Sequence, residues 1–262
     1  MDLAALVLRS DAIVSGRAVA IQELGPGVIP MPNGAAIDGT SVSVEVVTER
    51  SLKGDLSGPF QVELVHTDIP SGYGRLPLRI PQVFFVRRLE SRWVVTHAHY
   101  PSLPAGDGEI EGATDLDRVI SVIGSVLLDQ AAAISTRVRA MEALGSVALP
   151  ASRNVLQAAT EDRQPEIRYR SIGKLLSMGD LTFLPAVEEA LLQGQLNPDV
   201  AVTPAGASSS AFVTRSLFPR WRGSCARVMS IPAGWCRPYS QSFRRRLPYR
   251  YFAARWTTSI SR

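Results

Sequence analysis

Two copies of one helical pattern lie between Ile134 and Gln193, and this repeat constrains the fold more than any other feature of the chain. The matching side chains are 31 residues apart, in the order Arg137 with Arg168, Ala140 with Ser171, and Leu144 with Leu175. After each first helix a Leu-Pro pair opens a second apolar segment, because proline suits the first turn of a helix. A helix pair of roughly 31 to 35 residues buries its apolar face only by stacking on a neighbour. The sequence therefore predicts two stacked helical hairpins.

The apolar spacing within the two first helices predicts which face is buried. The inward positions recur at steps of three and four residues, and they are Val138, Met141, Leu144, Ile172, Leu175 and Leu176. Each helix then meets a glycine, Gly145 or Gly179. We expect a left-handed cap at both, since glycine carries no Cβ penalty there.

This pattern resembles that of HEAT repeats. The residues that carry the resemblance are Arg137-x-x-Ala140-x-x-x-Leu144 followed by Pro150, and Ile167-Arg168-x-x-Ser171-x-x-x-Leu175 followed by Pro185. The resemblance covers about a quarter of the chain. It implies a short helical array whose concave face binds another protein. An ordinary small helical bundle stays open as the alternative.

The first hundred residues show the period-two alternation of half-buried strands instead. The predicted strands are Ala12–Val19, Ser41–Thr48, Phe60–Leu64, Val83–Val86 and Trp93–Thr96, after a short helix over residues 3–8. Gly25-Pro26-Gly27 and the segment from Pro30 to Gly34 are predicted to form a loop. A turn is expected near Glu90. Five short strands in this length favour a small barrel or sandwich.

A second resemblance, to the OB-like barrels of netrin and metalloproteinase-inhibitor modules, covers residues 1–104. It is carried by Asp11-Ala12-Ile13-Val14-x-Gly16-Arg17, Val44-Glu45-Val46-Val47, Leu52-Lys53-Gly54 and Phe84-Phe85-Val86-Arg87-Arg88. Members of that family are often stapled by cysteines, whereas residues 1–224 contain none. The resemblance therefore implies a barrel and export, but no inhibitor activity.

The predicted fold class is α+β with separate domains. We expect an OB-like β-rich domain at 1–104, a Pro- and Gly-rich linker at 105–113, HEAT-like hairpins at 114–195 and an Arg-rich tail at 196–262. Thr114 or Asp115 is expected to cap a helix that continues to about Leu128. Its inward side chains are predicted to be Val119, Ile120, Ile123 and Leu127.

Charge is distributed unevenly along the chain. All 24 acidic residues lie at or before Asp199, whereas the last 63 residues hold 11 arginines and no acid. Arginines alternate with aromatic rings there, a combination that neutralises phosphates and stacks on bases. The predicted nucleic-acid contacts are Arg244, Arg245, Arg246, Arg250, Arg255 and Trp256. Two explanations stay open, a native basic tail or the product of a frameshift near codon 195, and either predicts disorder.

The sequence contains none of the familiar catalytic or cofactor motifs. It has no Gly-x-Ser-x-Gly elbow, no Gly-Lys-Ser/Thr phosphate loop and no complete dinucleotide glycine motif. Cys225 and Cys236 lack the spacing of a zinc site. His97 and His99 would share one face of a strand, but a metal would need a further ligand such as His66. We therefore predict no catalytic, cofactor-binding or metal-binding residues.

The combined prediction is a non-enzymatic scaffold that binds a protein partner through the hairpins, with nucleic-acid binding through the tail as the alternative. No apolar run approaches the roughly 20 residues of a membrane span. Asp2, Arg9 and Asp11 interrupt the pattern of a signal peptide at the amino terminus. As written, the chain is expected in the cytoplasm; membership of the exported family would imply a signal peptide missing from the start.

Overall fold

A computed structural model of the protein describes residues 2–30, 34–67 and 76–192, apart from the side chains of residues 188, 191 and 192. The strands are β1 Ala12–Pro30, β2 Ala36–Lys53, β3 Pro59–His66, β4 Pro81–Leu89, β5 Arg92–Val95 and β6 Ser102–Pro104. The helices are α1 Leu3–Arg9, α2 Asp115–Leu128, α3 Ile134–Leu144, α4 Pro150–Ala158, α5 Pro165–Ser177 and α6 Leu184–Leu192. Short 3-10 turns occupy Ala159–Glu161 and Leu181–Phe183. Strands thus precede helices α2 to α6, which confirms the α+β class.

The six strands form one sheet in the order β1-β2-β3-β5-β4-β6, with a further pairing between β1 and β4. Each of β1 to β5 therefore has at least two neighbouring strands. All pairings are antiparallel except that of β3 with β5, where Val62 and Glu63 lie opposite Trp93 and Val94. The expected turn between β4 and β5 is confirmed, and Glu90 adopts a left-handed conformation in it, with φ of 57°.

Alternate side chains of β1 and β4 enter two different hydrophobic clusters. Val14 and Phe84 belong to a cluster made by strand residues and Leu76, whereas Ile13 and Phe85 pack with the helices. Strands buried on both faces read as continuous apolar runs, which explains the sequence Val-Phe-Phe-Val at 83–86. The cluster that contains Phe85 extends from the sheet through α2 to α5. One hydrophobic cluster therefore connects the sheet to the helices, beside a separate cluster formed mainly by the strands.

The loop predicted at Gly25-Pro26-Gly27 is wrong, since these residues lie within β1. A register shift between Glu23 and Gly25 accommodates them, with Gly25 at φ of 137°. A Cβ on Gly27 would lie 2.5 Å from Ser41 Oγ, so glycine permits close approach of β1 and β2. Glycine and proline therefore mark an irregular strand here, where bulges and edges tolerate both.

Helix α2 begins where the sequence predicted. The Thr114 hydroxyl accepts from the Asp117 N–H, and the Asp117 carboxylate accepts in return from Thr114, which completes a capping box. All four predicted inward residues of this helix are buried. The preceding segment, 105–113, contacts both neighbouring regions: the Gly106 N–H donates to the Val122 carbonyl, and Arg50 donates to the Gly106 and Gly108 carbonyls.

Helices α3 to α6 occupy the positions expected for two hairpins, and both leucine-proline openings are at helix starts. The left-handed cap is confirmed at Gly179, with φ of 85°. It is wrong at Gly145, which is right-handed with φ of −65°. A Cβ there would lie 2.6 Å from Lys174 Cδ, so the glycine makes room for a neighbouring helix rather than for a turn.

The described residues all belong to one compact unit, Met1–Ser210. The whole of the predicted tail at 196–262 lies outside the described residues. In the described part, no helix is both long and apolar enough to cross a membrane.

Candidate functional site

A buried ion pair positions the segment that joins the two hairpins. The side chains of Arg137 in α3 and Asp162 are 1% and 4% exposed, and two guanidinium nitrogens donate to the two carboxylate oxygens. Arg137 Nε also donates to the Leu127 carbonyl at 2.8 Å. The Asp162 carboxylate accepts from the Gln164 N–H at 2.8 Å. These bonds connect the end of α2, the first hairpin and the start of α5.

The surroundings of Asp162 favour its charged form. Burial opposes ionisation, but the hydrogen bonds from Arg137 and the Gln164 N–H, with the charges of Arg137 and Arg168, hold the pKa of the carboxyl below its ordinary value. Asp162 is therefore a carboxylate at neutral pH. A buried charge paired in this manner fixes geometry, because loss of either partner leaves the other uncompensated.

Arg168, the counterpart of Arg137 in the repeat, has a different environment. Its Nη1 donates to the Asp162 backbone carbonyl at 3.1 Å. Its guanidinium carbon also lies 4.9 Å from the centre of the Tyr169 ring, within the range of a cation–π contact. The first arginine is thus buried within the helices, whereas the second lies partly exposed beside a groove.

This groove lies between the Ala159–Glu161 turn, α5 and α6, with a volume of about 380 Å³. Its lining residues are Thr160, Glu161, Arg168, Tyr169, Ile172, Phe183, Ala186, Glu189 and Ala190. The apolar wall continues into a small cluster in which Ile172, Val187 and Ala190 are buried. We call this feature the α5–α6 groove.

The groove combines an apolar wall with charges of both signs. Ile172 and Phe183 provide apolar contact, Arg168 provides a cation, and Glu161 and Glu189 provide carboxylates. Such a surface suits an apolar side chain flanked by polar groups, which is the pattern of protein–protein contact.

None of the family models, curated proteins or solved structures that were compared matches this chain.

The paired histidines lie close together in the structure. The His97 and His99 ring centroids are 5.5 Å apart, and the His99 N–H donates to His97 Nδ1 at 3.2 Å. Burial, followed by the charge of His99, lowers the pKa of His97. Among the described residues, no group of three or more His, Cys, Asp or Glu side chains could hold a metal ion.

A second cavity, of about 490 Å³, lies between the 104–108 segment, the end of α2 and the start of α3. Asp107, Ser125, Asp129 and Thr136 contribute its polar lining. Asp129 Oδ1 accepts from the Ala131 N–H, and Ser125 Oγ donates to the Val122 carbonyl, so both side chains are used in local structure.

The predicted nucleic-acid contacts, Arg244, Arg245, Arg246, Arg250, Arg255 and Trp256, lie outside the described residues. Sequence reasoning identified Arg137 and Arg168 as repeat positions but missed the burial of Asp162 and the wall formed by Tyr169 and Phe183. Asp162 sits in a polar run, Glu-Asp-Arg-Gln, which is typical of an exposed loop. The available signal was the pair of acids Glu161 and Asp162 between two arginine-bearing helices, since an arginine needs a counterion once it is buried.

Proposed function

We propose that this protein is a non-enzymatic interaction module that binds a protein partner in the α5–α6 groove. The supporting observation is the combination of apolar wall and charged rim on α5 and α6. The partly exposed Phe183 and the exposed Ala186 supply apolar area, and rim charges select the partner's orientation and sequence. The partner in this proposal presents an apolar side chain with a basic group near Glu161 or Glu189.

The helices that carry the groove are, in this proposal, a short HEAT-like array. Several contacts between the hairpins support it. Arg153 of α4 donates to the Met178 carbonyl at 2.8 Å, and Lys174 pairs with Glu142 of α3 at 2.5 Å. Stacked helix pairs bury a continuous core and leave a surface of adjacent helices for binding. Helix α2 covers one side of α3 and α4, since its residues join their cluster.

The strands are, in this proposal, a small OB-like barrel. The pairings run β1-β2-β3-β5-β4 and return to β1, which is a ring of five strands. Closure of a sheet removes free edges and encloses side chains. The cluster that includes Val44, Val62 and Phe84 fits such an interior. The barrel acts here as a support for the helices.

A blocking substitution tests the groove. Ala186 lines the α5–α6 groove and is exposed, so Ala186→Trp fills the groove without enlarging a buried residue. Ala131, exposed in the α2–α3 connection, provides the matched Ala131→Trp control. Proteins retained by the immobilised full chain from an extract of the source cells are quantified by mass spectrometry. We expect a specific protein to be lost with Ala186→Trp and kept with Ala131→Trp; equal retention would reject the groove.

Nucleic-acid binding through the tail is the second candidate, favoured by the 11 arginines and absent acids after Asp199. Its affinity should fall steeply with salt and vanish on truncation after Asp199, because released counterions dominate such binding. Fluorescence anisotropy with a single-stranded oligonucleotide at two salt concentrations measures both effects. Salt-insensitive binding, or none, would reject this candidate.

A further inference from the structure

Within the described residues, one segment of β1 has a neighbouring strand on one side only. Strand β1 pairs with β2 along nearly its whole length but with β4 only from Ala12 to Arg17. One further bond follows, from the Arg79 N–H to the Ala18 carbonyl at 2.8 Å. Among the described residues, no backbone pairs with the outer edge of residues 19–24. We call residues 19–24 the β1 edge.

Exposed apolar side chains surround the β1 edge. Val19, Ile21 and Leu24 are each more than a third exposed, although they lie in a strand. Leu78 and Ile80, which flank the residue bonded to Ala18, are exposed to a similar degree. An accessible row of backbone donors and acceptors beside apolar side chains is a template for pairing with another strand. Proteins protect such edges with lysine, proline or bulges.

The β1 edge carries no such protection between Ala20 and Glu23. It contains no proline and no lysine, and its pairing with β2 is irregular only at its two ends, between Ala18 and Ala20 and between Glu23 and Gly25. The sole charged side chain within it is Glu23. Arg79, exposed beside Ala18, lies at the opposite end of the segment. One end of the edge is therefore acidic and the other basic.

We propose that the β1 edge pairs antiparallel with the β1 edge of a second copy of this chain. A two-fold antiparallel pairing of one strand with itself places one residue opposite its own copy. With Ile21 at that position, Gln22 faces Ala20 of the other copy, and Glu23 lies at the irregular end of that copy's β1 edge, near Val19. Each Glu23 then lies beside the Arg79 anchored at Ala18 of the other copy, at both ends of the pairing. The apolar centre and the complementary ends select a second copy as the occupant.

The oligomeric state of the full chain tests this pairing. Sedimentation equilibrium should give twice the chain mass of 28.4 kDa. Ile21→Lys places two like charges at the two-fold axis, and should weaken dimerisation by more than about tenfold. Leu8→Lys, at an exposed position of α1, is the matched control and should leave the dimer intact. Equal thermal unfolding of both variants would show that the fold is kept.

Covalent trapping identifies the register. In a full chain with Cys225→Ser and Cys236→Ser, Ile21→Cys should form a disulfide-linked dimer under mild oxidation, because opposed strand residues have Cβ atoms about 4.5 to 5.5 Å apart. Leu8→Cys, more exposed than Ile21, should form much less. A monomeric unmodified chain, a dimer that survives Ile21→Lys, or equal cross-linking at both cysteines would each overturn the proposal.

Discussion

Arg137 carries a charged guanidinium that is 1% exposed and pairs with the buried Asp162 carboxylate. Its repeat counterpart, Arg168, is partly exposed and lines the α5–α6 groove. The sequence marks the two arginines as equivalent, since both precede the same apolar spacing. Their environments differ because α3 packs against α2, whose Leu127 carbonyl accepts from Arg137, whereas Arg168 lies at the groove formed with α6. Residue identity alone could not predict this difference.

Removal of one partner of the buried pair should destabilise the fold. Asp162→Asn leaves Arg137 charged and uncompensated, so we expect the free energy of unfolding to fall by about 3 to 5 kcal/mol. The double variant Arg137→Met/Asp162→Leu removes both charges and should lose less. Urea unfolding followed by circular dichroism measures both. A larger loss in the double variant than in Asp162→Asn would contradict this account of the pair.

Low pH should reduce the stability of the folded protein, partly through protonation of Asp162. Because its folded pKa is lowered, its contribution to stability is complete above the ordinary aspartate pKa of about 3.9 and is lost as pH falls through the lower folded value. The free energy of unfolding should therefore decrease with falling pH in this range. Asp162→Asn should show a shallower decrease, measured by urea unfolding at several pH values. An unchanged slope would show that other carboxyl groups account for the effect.

At the scale of elements, the sequence predicted the helices more accurately than the strands. The three- and four-residue spacing, the capping Thr114 and the two Leu-Pro pairs predicted α2 to α6 well. The predicted strand, Ala12–Val19, is shorter than β1, because the sequence Gly25-Pro26-Gly27 resembles a turn. Glycine is required there because β1 and β2 approach closely. This contact joins residues distant in sequence, so the local sequence pattern does not predict it. The α5–α6 groove could not be predicted from the sequence either, since it depends on how α5 and α6 pack against each other.

Two glycines of different surroundings should respond oppositely to alanine. A Cβ on Gly16 would approach the Val47 carbonyl oxygen far inside the 3.0 Å limit of real contacts. Gly16→Ala should therefore lower the free energy of unfolding by about 1 to 3 kcal/mol. Gly173, within α5, has nothing within 4 Å of an added Cβ, so Gly173→Ala should stabilise by roughly 0.4 to 1 kcal/mol. Thermal unfolding would contradict this account if both changes had the same sign.

At the scale of the whole described region, one hydrophobic cluster connects the sheet to the helices. Phe85 and Val83 of β4 share it with α2, and through α2 with α3 to α5. The sequence predicted both regions but not the hydrophobic cluster that connects them, because the Pro- and Gly-rich segment at 105–113 resembles a linker. Its glycines instead allow close packing on α2, as a Cβ on Gly108 would lie 2.8 Å from Ser125 Cβ.

A shared core predicts coupled stability. Phe85→Ala should remove about 3 to 5 kcal/mol through cavity formation. Amide hydrogen exchange should then show similar losses of protection in β4 and in α2, because both pack on Phe85's cluster. Leu8→Ala, at a side chain that is 81% exposed, is the control and should change neither. Loss confined to the strands would indicate that the sheet unfolds independently of the helices.

The α5–α6 groove is the proposed binding site, and photo-crosslinking from within it tests that claim most directly. The full chain carries benzoylphenylalanine at Ala186 in the groove or at Ala131 as control, both exposed positions. After irradiation in source-cell extract, adducts are digested and sequenced by mass spectrometry. The account predicts one recurrent protein segment, with an apolar side chain near a basic residue, joined at Ala186 and absent at Ala131. The same adducts at both positions, or none at Ala186, would contradict it.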